Sequence, residues 1–267
     1  MKKKQKKSKI YCISDLHLEF YDNYEQLYEK LEQIMPDADI LILAGDIGRP
    51  ADNLINNKGS DADNLTNLLI RFKKRYPHVI MVMGNHEYYG IKNFDRQSAV
   101  SAMEEICAKT DVVLLNNSAV VINGVKFIGT TLWTNAEKHI KYMMADFGKV
   151  FKEVKDYNDE FFKCYQWLAD CLMDDLGDHT VKRQVVITHH LPTSKLSHPK
   201  YDGNLANSGY YVDITDNLLL DKVKYWFCGH THETTTLRHN GVHYVVNPYG
   251  YPSEQRATKT QSTVYHI

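Results

Sequence analysis

The sequence predicts a mixed α/β fold in a single domain, with its strands gathered into two sheets. Three observations carry this. Strand-like runs alternate with amphipathic helical patterns over the N-terminal part of the chain, as in a βαβαβ unit. The earliest strand runs are almost continuously apolar, the mark of strands covered on both faces. Further along, Asn123-Gly124 and Asn240-Gly241 each sit between strand patterns and predict two-residue hairpins of the I′ type.

Nine runs read as strands: Lys9–Ser14, Asp39–Ala44, His78–Met83, Val112–Leu115, Ala119–Ile122, Val125–Gly129, Gln184–Thr188, Lys222–Cys228 and Val242–Val246. Between the first four lie three helical stripes. Tyr24, Leu27, Tyr28, Leu31 and Ile34 repeat at i, i+3, i+4, with Asp22 or Asn23 as N-cap. Leu65, Leu68, Leu69, Phe72 and Tyr76 do the same until Pro77 stops them, and Val100, Met103, Ile106 and Cys107 follow. A fourth stripe, Phe161 to Leu176, ends at Gly177. Two stretches lack periodicity: Thr134 to Lys155, with room for a lid or short helix, and Leu191 to about Asn217. Long irregular segments in compact domains are often functional.

Composition bounds the function. The chain has 267 residues, of which 43% are hydrophobic, enough for one well-packed domain, and no Pro/Gly/Ser-rich linker divides it. Residues 9–267 are therefore read as that domain and residues 1–8 as a solvated, disordered lysine-rich tail. A polyanion-binding or nuclear-localisation arm is the other reading of those lysines. A net charge of −1 gives no support to a nucleic-acid or membrane partner. No stretch is long enough to span a bilayer, and Ile10 to Ile13 is too short for the apolar core of a signal peptide. The five scattered cysteines read as buried thiols in a reducing cytoplasm.

The chemistry sits where the strands end. Ser14-Asp15-Leu16-His17 follows the first run, Gly45-Asp46-Ile47-Gly48 the second and Gly84-Asn85-His86-Glu87 the third. His189-His190 follows Gln184–Thr188, and Gly229-His230-Thr231-His232 follows Lys222–Cys228. Loops at the carboxyl ends of strands converge on the ligand crevice of an open α/β sheet. In Asp-x-His and His-x-His, alternate side chains of an extended segment reach the same ion. Carboxylate, amide oxygen and imidazole suit two divalent cations (Mn, Fe, Zn or Ni, with Mn favoured), and the absence of thiolate argues against structural zinc. Each cluster alone is an ordinary turn; their joint occurrence after five strands is the signal.

This set resembles the calcineurin-like metallophosphoesterase superfamily from Lys9 to at least Pro248. The resemblance implies an α/β four-layer αββα sandwich of two mixed β-sheets flanked by helices, with a dinuclear metal site at strand C-terminal ends. It implies that Asp15, His17 and His232 bind one metal, that Asn85, His189 and His230 bind the other, and that Asp46 bridges them. His86 would stand near the leaving group. His189 is taken as the ligand and His190 as a neighbour or substrate contact, with the reverse left open. Glu87 either orients His86 or is a solvated loop acid. The Asp-Arg-Gly of the protein-phosphatase branch is replaced by Gly48-Arg49-Pro50, whereas Gly129 to Thr134 looks like small bacterial-type members.

The resulting expectation is a metal-dependent phosphomonoesterase or phosphodiesterase in which a hydroxide shared by two cations attacks phosphorus in line while His86 assists the leaving group. Asp46 and His86 would be catalytic, and Arg49, His190 and Asn85 would touch the substrate, a small phosphoester or nucleotide. Tyr88, Tyr89, Asn135 and Tyr249 are further candidates for the rim. The alternatives are a non-catalytic scaffold on the same fold and a nuclease aided by the basic tail.

Overall fold

The computed structural model describes residues 7–21, 24–51, 61–90, 95–177, 180–254 and 260–267; of 175–177 only the backbone is described. The expected N-cap at Asp22 or Asn23 and the lysines of positions 2–6 fall outside these residues. The chain is already paired at Ser8, whose backbone exchanges two hydrogen bonds with Ile267.

The chain opens as expected: β1 (Lys9–Ile13), α1 (Tyr24–Ile34), β2 (Ile40–Ala44), α2 (Asp61–Arg75), β3 (His78–Val82), α3 (Arg96–Thr110) and β4 (Val113–Leu114). The hairpin β5 (Ser118–Ile122) and β6 (Val125–Thr130) follows. After it come a helical turn, α4 (Asp146–Lys149), the long helix α5 (Val154–Gly177), β7 (Gln184–Thr188) and β8 (Val223–Cys228). The hairpin β9 (Thr235–His239) and β10 (Val242–Val246), and β11 (Tyr265–His266), complete it. Both Asn-Gly pairs form the expected turns: φ is +53° and +77° at Asn123 and Gly124, and +48° and +77° at Asn240 and Gly241.

The strands form two mixed sheets. The first runs β11-β1-β2-β3-β4, parallel except for β11, and the second runs β5-β6-β7-β8-β10-β9, parallel from β6 to β10 with antiparallel edges. Side-chain alternation then decides the layers. Ile10, Cys12, Ile40, Ile42, Ile80 and Val82 meet Phe127, Val185, Ile187, Phe227 and Val245 in the seam between the sheets. Their neighbours Tyr11, Ile13, Leu41, Leu43 and Met81 pack outward with Leu27, Leu31, Leu68, Phe72 and Met103 of the first three helices. On the far side Ile128, Val186, Trp226 and Tyr244 face outward in the same way, with Phe161, Leu168 and Leu172 of α5 in that core. Every central strand is thus apolar on both faces, which is why the runs looked continuous. The architecture is the expected αββα sandwich.

Two strands were not among the nine expected runs. β9 is half-exposed and reads Thr-Thr-Leu-Arg-His, so its apolar signal is weak although the turn after it is clear. β11 is two residues long and pairs with β1 across nearly the whole chain, a contact that leaves no local pattern. The Leu191 to Asn217 segment stays irregular, broken by single 3-10 turns. No helix among the described residues is long and apolar enough to cross a membrane.

The sheets approach closely at Gly129, where an added Cβ would overlap Leu115 and crowd Val82. Gly129→Ala is expected to lower unfolding stability by about 1–3 kcal/mol in urea titration. Val121→Thr, on the exposed face of β5 in the same hairpin, should stay within about 0.5 kcal/mol. Equal effects from both would show that the seam is looser than its geometry.

Candidate dinuclear metal site

The parallel strands β1, β2, β3, β7 and β8 present their carboxyl ends on one edge of the sandwich, and the five clusters meet there. Asp15, His17, Asp46, Asn85, His86, His189, His230 and His232 are all buried at this edge. Ten non-glycine residues among those described have positive φ, and five are Asp15, His17, Asp46, His230 and His232. Such backbone costs about 1–3 kcal/mol per residue and persists only where the surroundings enforce it. The turns after β2 and β3 also touch: a Cβ on Gly84 would overlap Asp46, and one on Gly45 would overlap His189.

Glu87 provides much of that enforcement. Its carboxylate is buried and accepts four backbone N–H groups, from Asp46 (2.9 Å), Ile47 (2.6 Å), Gly48 (3.1 Å) and Gly84 (2.6 Å). Neither reading of Glu87 from sequence describes this. It is not solvated, and the side chain that holds His86 is another one. Burial and the nearby Asp46 push the Glu87 carboxyl up to about 7 despite those donors.

Asp46 lies between two imidazoles. Its Oδ2 is 3.7 Å from His17 Nε2 and 3.4 Å from His189 Nε2, while Oδ1 accepts the His86 N–H at 2.8 Å. On the first side, His17 Nε2 faces His232 Nε2 at 2.9 Å, and His232 Nε2 is 3.4 Å from Asp15 Oδ1. Asp15 is fixed by the Ser14 hydroxyl and by the backbone N–H of His230. On the second side, His189 Nε2 lies 3.1 Å from Asn85 Oδ1, and His230 joins Asp46 and His189 in one potential ligand group. Asp15, His17 and His232 form another such group, and His17, Asp46 and His86 a third.

The tautomers test whether cations fit. His189 Nδ1 donates to the Ala44 carbonyl at 2.9 Å, which leaves a lone pair on Nε2 facing two oxygens. His232 Nδ1 donates to Glu254 at 2.8 Å, so its Nε2 lone pair points at another ring nitrogen and a carboxylate. Acceptors facing acceptors in a buried site require positive charge between them. A proton or a metal ion can supply it, and the imidazoles register the demand. Burial works against charge on His189, yet Asp46 outweighs it and pushes that ring up to about 9. Burial is likewise outweighed at His232, where Asp15 and Glu254 push it up to about 10. The donor set, with each of these outer nitrogens held by an oxygen, fits divalent cations.

His86 and its surroundings complete the edge. Its Nδ1 lies 2.8 Å from Glu19 Oε1, which is also 3.4 Å from His17 Nδ1, and its Nε2 lies 3.4 Å from the Tyr251 hydroxyl. Burial disfavours charge on His86, but Asp46, Glu19 and Glu87 together raise its proton affinity. Glu19 is desolvated, yet its two histidine partners hold it down at about 2. A cavity of about 320 Å³ opens over these groups, walled by Tyr89, Asp146, Tyr201, Asn207, Tyr210 and Tyr251 among others.

Other expected contacts lie further back. His190 is fully buried between Trp133 and His230, with ring centroids at 5.3 Å and 4.2 Å, and is not on the cavity wall. Burial and the charge of His189 push it down to about 3, so it is a neutral ring. Arg49 Nε stands 4.0 Å from Glu19 and is not in the cavity wall. Tyr88 packs on Trp133 and Tyr249 is buried, while the Tyr89 ring lies tilted against His86 with centroids 4.3 Å apart. Asn135 lines a separate surface recess. Glu19, Asp146, Tyr251 and Glu254 were missed from sequence. Of these only Glu19, two residues past His17, had a local signal.

Comparison with known proteins agrees with this geometry. The sequence matches the calcineurin-like phosphoesterase family model over residues 8–234. It is 27% identical to an uncharacterised protein of Acanthamoeba polyphaga mimivirus, covering 91% of each chain. The fold resembles the phosphopantetheinyl hydrolase of Mycobacterium tuberculosis, with a TM-score of 0.68 at 17% identity over 99% of this chain and 97% of that one. It also resembles a dimetal phosphatase from Danio rerio, with a TM-score of 0.50 at 17% identity over 91% and 87%. With the motif-bearing loops on one edge of an αββα sandwich and the family model matching most of its length, the chain belongs to the calcineurin-like phosphoesterases.

Proposed function

We propose that this phosphoesterase hydrolyses a small phosphoester, a monoester or diester of nucleotide-like size, with two divalent cations, manganese first among Mn, Fe, Zn and Ni. The observation that carries the reading is the Asp46 carboxylate set between His17 and His189, each on its own side of the site. Asp15, His17 and His232 would hold one cation, Asn85, His189 and His230 the other, and Asp46 both. Bound there, the cations would supply Lewis acidity toward phosphoryl oxygens and lower the pKa of water.

The protein's own groups do the rest. Glu19 fixes His86 through Nδ1, so Nε2 is the atom turned to the Tyr251 hydroxyl, on the wall of the cavity. A ring with raised proton affinity is suited to protonate a departing alkoxide from that nitrogen. The aromatic and amide walls exclude water around a compact leaving group, and a cavity of about 320 Å³ suits a small molecule better than a duplex. Arg49 stands beside Glu19, the carboxylate that holds His86, and would bind a phosphate oxygen if it exchanged Glu19 for substrate. Four of the five free cysteines are buried, which suits a reducing compartment such as the cytoplasm.

The test is turnover of p-nitrophenyl phosphate and bis-p-nitrophenyl phosphate with added Mn²⁺. His86→Ala should cut turnover by roughly 10²–10⁴-fold with bound metal nearly unchanged. Glu19→Gln should lower it less, and the two effects should be less than additive in the double variant, because Glu19 acts mainly through His86, its nearer partner at 2.8 Å against 3.4 Å to His17. Parallel loss of metal and activity in His86→Ala would make the ring a ligand instead. Asp46→Asn should lose both cations when metal content is measured by mass spectrometry. Retention of two per chain would remove Asp46 from the shared position. A parent protein that binds two cations and turns over neither ester would favour a scaffold.

A further inference from the structure

A buried carboxylate outside the family motifs holds one member of the site in place. Asp146 begins α4, in the irregular stretch between β6 and α5, and is completely buried. Its Oδ1 accepts the Asn85 amide Nδ2–H at 3.0 Å and the Tyr89 hydroxyl at 2.9 Å. The same Asn85 Nδ2 also donates to the Tyr89 oxygen at 2.9 Å. Three side chains thus close a triangle around one amide nitrogen.

That triangle decides which way Asn85 faces. With Nδ2 turned to Asp146, Oδ1 is turned to His189 Nε2 at 3.1 Å. Rotating the amide by half a turn would set its oxygen against the Asp146 carboxylate and its N–H₂ against the position a cation would take. Both contacts are repulsive, and burial removes the water that would soften them. Both donors reach the same oxygen of Asp146, so the clamp holds whether or not Oδ2 carries a proton. The Asp146 backbone is anchored as well, because its carbonyl accepts the N–H groups of Val150 and Phe151 at 2.9 and 3.0 Å.

We infer that Asp146, with Tyr89, is a positioning residue that locks the Asn85 amide so that its oxygen serves the His189–His230 cation. The inference rests on the dinuclear reading above. Partners that orient a ligand in this way typically change metal affinity by about 10–100-fold when removed. Calorimetric titration of metal-free protein with Mn²⁺ tests it. Asp146→Ala should weaken one of the two equivalents by that factor and leave the other unchanged. Tyr89→Phe should weaken the same equivalent by less. Asp146→Asn, which keeps a carbonyl acceptor, should recover most of the affinity.

Two results would overturn the inference: both equivalents bound by Asp146→Ala and Tyr89→Phe as tightly as by the parent, or both weakened equally. The second would mark a general loss of structure, which the melting temperature of the metal-free variants would also report. A parent protein that itself takes up fewer than two equivalents would overturn the dinuclear reading, and the clamp with it.

Discussion

The site depends on lone pairs that are made to face one another. Asp46 Oδ2, His189 Nε2 and Asn85 Oδ1 converge on one side, and His17 Nε2, His232 Nε2 and Asp15 Oδ1 on the other. In water such a set would drift apart. Here four of the six are held from behind: His189 by the Ala44 carbonyl, His232 by Glu254, Asp15 by Ser14 and the His230 amide, and Asn85 by Asp146. The fold fixes the acceptors and leaves the positive charge to be supplied. This is preorganisation for a cation, since the reorganisation has already been done on folding.

That arrangement sets demands on the backbone. Both sheets must deliver their parallel strand ends to one edge, because Asp15, Asp46 and Asn85 come from the first sheet and His189 and His230 from the second. The turns must then be tight enough for acids and imidazoles to project inward, which explains the cluster of positive φ angles at Asp15, His17, Asp46, His230 and His232. Glu87 compensates by gathering the N–H groups of two of those turns onto one carboxylate. A conformational cost of several kcal/mol for the strained positions is thereby carried by hydrogen bonds and by the sandwich behind them.

Much of this was legible from sequence, and the reason is physical. Strands buried on two faces write themselves as unbroken apolar runs, so their ends, and the Asp, Asn and His that follow, could be located. Asn-Gly turns are nearly self-sufficient, and both hairpins formed as expected. What stayed hidden was tertiary. Glu19 reaches His86 across 67 positions, Asp146 reaches Asn85 across 61, and Glu254 meets His232 from a turn with no pattern of its own. Which of His189 and His190 joins Asp46 also depended on a contact between sheets. His189 finds the Ala44 carbonyl of β2, while His190 turns back to Thr131 and Trp133. Adjacent residues of one type in a turn cannot be told apart by periodicity.

The most direct test of the account is anomalous diffraction from crystals equilibrated with Mn²⁺. Two peaks about 3.5–4 Å apart, one on either side of the Asp46 carboxylate, are the predicted result. A single peak remote from Asp46, or none at that edge of the sandwich, would contradict it.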